Sequence, residues 1–129
     1  MKTFLVTGDR EWNDRPLMEA ILSKVPYDVY STLIHGDCRG ADKMADEIGK
    51  ELGYTVLPFP AAWTKYHFMA GPVRNQQMLD EGLPSLVIAF HKSISESKGT
   101  KHMVEIALKA KIKCIVINGT DDYTDLVIE

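Results

Sequence analysis

The sequence predicts an α/β domain built on a parallel sheet. Five short apolar runs alternate with longer segments of helical period, and clusters of glycine and polar residues follow directly after the runs. The runs are Phe4-Leu5-Val6, Thr32-Leu33-Ile34, Val56-Leu57, Leu86-Val87-Ile88-Ala89 and Cys114-Ile115-Val116-Ile117. Nearly continuous apolar runs suit strands covered on both faces.

The segments between the runs are amphipathic. Leu17, Ile21, Leu22 and Val25 share one helical face. Ala41, Met44, Ala45, Ile48 and Leu52 give the clearest helix, which Gly53 stops. Pro72 to Asp80 is a weaker helix, with Pro72 in its first turn and Val73 and Leu79 inward. Met103, Ile106, Ala107 and Ala110 repeat the helical spacing. The order βαβαβαβαβ, joined by right-handed crossovers, predicts a Rossmann-like doubly wound parallel sheet. Its expected strand order is 3-2-1-4-5, with helices on both faces. The tail from Thr120 to Glu129 carries Leu126-Val127-Ile128 and is expected as a short edge strand or an irregular cap.

Bulk properties set the bounds. A chain of 129 residues makes a single domain, 1–129, with a core that needs no staple. The formal charge of −3 lacks the basic footprint of nucleic-acid binding, so nucleic acid is an unfavoured partner. Cys38 and Cys114 are expected as reduced thiols, in keeping with a cytoplasmic protein. No run approaches the length of a membrane span. The histidines lack metal-ligand spacing, so neither a metal site nor a cofactor is expected.

In an open parallel sheet, the loops at the carboxyl ends of the strands meet in one crevice. Gly8-Asp9-Arg10 follows the first strand and His35-Gly36-Asp37-Cys38-Arg39-Gly40-Ala41-Asp42 the second. Pro60-Ala61-Ala62-Trp63 follows the third, and Lys98-Gly99-Thr100 lies after the fourth. Glycines in such loops let a ligand approach backbone amides, and a helix N-terminus favours phosphate. The Gly36–Gly40 loop fits that role; so does an ordinary turn with an N-cap. Asp37 and Asp42 are each able to accept a sugar hydroxyl or to cap the helix. Arg10 is placed to clamp a phosphate, or to pair with Asp14 or Asp37. Arg74 and Asn75 open the third long helix within reach of the crevice, and both arginines are expected to matter little to the core. Trp63 offers a face for stacking on a base or a plug for a lid. His35, at a strand end, suits a packed or hydrogen-bonded role better than that of a base.

These residues resemble a known family. Thr7-Gly8-Asp9-Arg10, His35-Gly36-Asp37-x-x-Gly40-Ala41-Asp42, Ala70-Gly71-Pro72-x-Arg74-Asn75 and Gly99-Thr100 are similar to DUF2493, the YspA or cpYpsA-related branch of the SLOG superfamily. The resemblance runs in order from about residue 3 to residue 117. It implies a Rossmann-like fold that binds a nucleotide or nucleotide-derived ligand as a sensor or sequestering module. The implied ligand contacts are Gly8, Arg10, Gly36, Asp37, Gly40, Asp42, Gly71, Arg74, Asn75, Gly99 and Thr100. It also implies a homodimer, and its members occur in phage and mobile-element settings.

LOG-type phosphoribohydrolases of the same superfamily resemble P-G-G-x-G-T-x-x-E. Here the run is Glu96-Ser97-Lys98-Gly99-Thr100-Lys101-His102-Met103, with Met103 where the catalytic Glu would stand. A nucleotide N-glycoside hydrolase therefore ranks second, with Asp37 or Asp42, or else Glu105, as the replacement carboxylate. A DprA-like DNA-associated role ranks third.

Overall fold

The computed structural model describes residues 1–129 and contains one five-stranded sheet, all parallel, in the order β3-β2-β1-β4-β5. The strands are β1 (Lys2–Gly8), β2 (Tyr30–His35), β3 (Thr55–Pro58), β4 (Leu86–Phe90) and β5 (Lys113–Ile117). The helices are α1 (Arg15–Leu22), α2 (Ala41–Glu51), the short α3 (Trp63–Tyr66), α4 (Ala70–Gly82) and α5 (Gly99–Lys109). The strand order and the five apolar runs match the expectation from sequence.

Strand residues alternate between two cores. Phe4, Val6, Leu33, Ile88 and Phe90 point to the face covered by α1 and α2. Leu5, Ile34 and Val87 point to the face covered by α4 and α5, through Met78, Leu79, Met103 and Ala107. This is why β4 is apolar at every position: all five of its residues are buried. Asp14 caps α1 by accepting from the Leu17 amide at 3.1 Å. Leu52 is the C-cap of α2, and Gly53 follows at φ +92.

Two details differ from the expectation. Helix α4 starts at Ala70, so Pro72 sits in its third position, and its buried residues are Ala70, Arg74, Asn75, Met78 and Leu79. Val73 is only half-buried. The helix looked weak because two of its inward residues are polar, which blurs the apolar period. The tail adds no strand. It crosses the α1 side as irregular chain, buries Ile128, and packs Tyr123 and Leu126 against the same core.

No helix is long and apolar enough to cross a membrane.

Candidate functional site

The sheet changes direction of winding between β1 and β4, and the loops after these two strands separate there. A cavity of about 480 Å³ opens at that point, lined by fifteen residues of which only one is hydrophobic. Its walls come from the loop after β1, the N-terminal turn of α2, the first turns of α4, and the loop from β4 into α5. This is the switch-point crevice that the alternating topology creates.

The loop after β1 is held rigidly. The Asp9 amide donates to the Phe90 carbonyl at 2.9 Å, and the Asp9 carbonyl accepts from Trp12 and Ala41. Trp12 is buried and meets Phe90 edge to face, with ring centroids 5.5 Å apart. Gly8 is required by packing: a Cβ there would stand 2.4 Å from the Phe90 carbonyl oxygen and 2.7 Å from the Ala41 side chain. The anchored backbone leaves the Arg10 side chain exposed at the cavity. Neither pairing considered for Arg10 forms, since Asp14 caps α1 and Asp37 pairs with Lys43.

The Gly36–Gly40 loop is organised by its own side chains. Asp42 is 6 % exposed, and its Oδ2 accepts from the amides of Gly36 at 3.1 Å and Cys38 at 3.2 Å. The Asp37 amide donates to His35 Nδ1 at 3.0 Å. Three amides that sequence alone offered to a phosphate are thus taken within the chain. His35 is fully buried, and its Nε2 pairs with Asp46 at 2.7 Å. Burial pushes the Asp42 carboxyl above the usual carboxylate range, despite the opposing amide bonds and the nearby Arg74 and His35. Asp42 also lines the cavity, and both of its amide bonds fall on Oδ2.

Arg74 is 7 % exposed. It donates from Nη1 to the Gly36 carbonyl and from Nε to Asn75 Oδ1 at 3.0 Å. Asn75 in turn donates to the Gly99 carbonyl at 3.3 Å and contacts His102 Nδ1 at 3.1 Å. The pair therefore ties α4 to the α2 loop on one side and to the start of α5 on the other. This corrects the expectation that Arg74 is a free loop charge of little structural weight. It is a buried cation with fixed partners that also faces the cavity.

The start of α5 is the open part of the site. The Thr100 amide is satisfied by Ser97 Oγ at 3.0 Å, whereas the Gly99 and Lys101 amides have no partner within the chain. A Cβ on Gly99 would meet nothing within 4 Å, so packing does not demand glycine there. Lys98 stands beside it, exposed and without an ion pair.

Of the residues singled out in the sequence, the cavity gathers Gly8, Arg10, Asp42, Arg74, Asn75, Gly99 and Thr100. Gly36 and Gly40 lie behind its wall: Gly36 faces the Arg74 guanidinium, and Gly40 (φ +75) passes against the backbone of Asp9 and Arg10. Asp37 sits in a left-handed turn (φ 59) with its carboxylate on Lys43. Trp63 is 50 % exposed on α3 beside Gly71, and neither lines the cavity. Glu105 is exposed near Lys101, and Met103 is wholly buried in the core under α5. The lining residues not foreseen as ligand contacts are Thr7, Asp9, Glu11, Cys38, Arg39, His91, Ser97 and Lys98. Thr7 lies within β1 and the others in the segments that follow β1, β2 and β4, so position was their only signal in the sequence.

Fold and cavity together define a Rossmann-like protein with a polar switch-point site. The family model described as the YspA, cpYpsA-related SLOG family matches residues 3–66. The Gene 61 protein of Mycobacterium phage D29 is 34 % identical over 124 residues, covering 89 % of this chain and 95 % of that protein. The chain belongs to the YspA, cpYpsA-related SLOG family.

Proposed function

We propose that the chain binds a nucleotide or nucleotide-derived ligand in the switch-point cavity and acts as a sensor or sequestering module. One observation carries the reading: the N-terminus of α5 brings the unpartnered amide of an unobstructed glycine, Gly99, into a cavity that also holds the unpaired cations Arg10 and Lys98. Free first-turn amides and the positive end of a helix favour a phosphate. The phosphate sits against the Gly99 amide, within reach of Arg10 and Lys98. The Gly36–Cys38 amides are committed to Asp42 and His35, so that loop shapes the wall and leaves the anion to α5. The cavity volume suits a small molecule of nucleotide size.

Native mass spectrometry of the purified protein tests this, followed by denaturation and identification of any released molecule. A bound nucleotide derivative, or a saturable mass increment on adding one, supports the reading. A protein that stays bare against a panel of nucleoside mono- and diphosphates and ADP-ribose contradicts it.

A hydrolase reading is favoured by one separate observation. Asp42 places a carboxyl with a raised pKa on the cavity wall, which suits proton transfer to a leaving base. Release of free base from a nucleoside monophosphate, abolished in Asp42→Asn, would establish it.

A further inference from the structure

The cavity holds a second polar constellation, away from the α5 amides. His91, the first residue after β4, and Asp9, just beyond β1, face one another with Nε2 and Oδ2 3.9 Å apart. Both line the cavity, and their side chains are 14 % and 29 % exposed.

The hydrogen bonds around the pair fix its chemistry. His91 Nδ1 accepts from the Ser93 amide at 3.0 Å, so the neutral ring carries its proton on Nε2. That proton is directed to the cavity side, where the opposing group is Asp9 Oδ2. Asp9 Oδ1 is occupied by the Glu11 amide at 2.9 Å, and Oδ2 makes no hydrogen bond within the chain. The separation is too long for a direct hydrogen bond. One hydroxyl oxygen about 2.8 Å from each group bridges it, with an angle of about 90° at that oxygen.

We infer that Asp9 and His91 form a subsite for one sugar hydroxyl of the ligand: His91 Nε2–H donates to its oxygen, and Asp9 Oδ2 accepts its proton. The inference rests on the nucleotide reading above and deepens it, because it makes a sugar hydroxyl of the ligand a recognised group. A phosphate does not fit the same place, since the carboxylate repels it and no proton is available to satisfy Asp9. A hydroxyl satisfies both groups at once, being donor and acceptor together. His91 is a donor here and not a base, because its Nδ1 lone pair is already used. The subsite discriminates by leaving Asp9 and His91 without partners when the hydroxyl is missing.

The experiment is calorimetric titration of the folded wild-type chain, His91→Phe and Asp9→Ala. The probes are the four ribonucleoside monophosphates, ADP-ribose, and the 2′-deoxy and 3′-deoxy forms of whichever binds best. Wild type should prefer the ribo form to one of the two deoxy forms by about tenfold. In both variants the preference should fall to near unity. Circular dichroism confirms that the variants are folded. Equal binding of ribo and deoxy forms to wild type overturns the hydroxyl subsite and leaves the nucleotide reading standing. A preference that survives in both variants also overturns it, by placing hydroxyl recognition elsewhere. Absence of binding by every probe overturns the nucleotide reading, and this inference falls with it.

Discussion

The Arg74 guanidinium reaches from α4 to the carbonyl of Gly36, and a Cβ on Gly36 would stand 2.7 Å from the Arg74 Cζ. The two residues are 38 positions apart in sequence and depend on each other: the glycine makes room for the cation, and the cation satisfies the carbonyl. Arg74→Ala should therefore lower stability by about 2–4 kcal/mol, since it strips donors from Gly36 and from Asn75. Gly36→Ala should cost about 1–3 kcal/mol by displacing Arg74. In an Arg74→Ala background, Gly36→Ala should cost much less, because the obstructing group is gone. Urea denaturation of the four proteins in this cycle measures the coupling.

Asp42 connects site architecture to pH. Its folded-state pKa is raised by burial, so the folded form holds this proton more tightly than the unfolded form. The cost of the buried charge is present at neutral pH. It is relieved as pH falls through the raised value, and fully so below the ordinary value of 3.8. Asp42→Asn keeps an acceptor for the Gly36 and Cys38 amides and removes the charge. The stability of wild type relative to Asp42→Asn should thus rise on acidification across that window. Asp42→Ala leaves two amides without a partner and should lose about 2–5 kcal/mol at neutral pH. Thermal melts from pH 3 to pH 7 (roughly the range that brackets this titration) check both.

Gly8 and Gly99 separate packing from binding. Gly8→Ala drives a Cβ into the Phe90 carbonyl and Ala41, and should destabilise the fold by about 2–4 kcal/mol. Gly99→Ala meets nothing and replaces glycine at a helix start, so stability should hold within about 0.5 kcal/mol. Nucleotide affinity should nevertheless drop in Gly99→Ala by about fivefold or more, because the methyl group occupies the approach to the α5 amides. Thermal melts and calorimetry on the same samples distinguish the two glycines.

Arg10 and Lys98 are exposed and unpaired, so their removal leaves the core untouched. Arg10→Ala and Lys98→Ala should each weaken nucleotide binding by about 3–20-fold, with a smaller effect at high salt. Melting temperatures should stay within about 2 °C of wild type. Titrations at low and high ionic strength test this.

The frame of the molecule is legible in the sequence because each strand is a short apolar run. β4 is the plainest case, buried at all five positions. Parallel alternation then dictates where the loops meet, so Arg10, Asp42, Arg74 and Gly99 converge on one edge as expected. What sequence does not reveal is which groups are already spoken for. The amides of Gly36, Asp37 and Cys38 look free until Asp42 and His35 are seen to take them. Arg74 looks solvated because an arginine in a first helical turn usually is. Its burial depends on a carbonyl from a distant loop. His91 gave no signal beyond its position, since a lone histidine after a strand has no partner until the fold brings Asp9 to face it.

The most direct test of the account is an amide NMR titration of the wild-type chain with adenosine 5′-monophosphate and with ADP-ribose. Saturable shifts should centre on Asp9, Arg10, Gly99, Thr100 and Lys101, with the exposed Trp63–Met69 segment unmoved. Shifts centred on Trp63–Met69, or none that saturate with either nucleotide, would contradict it.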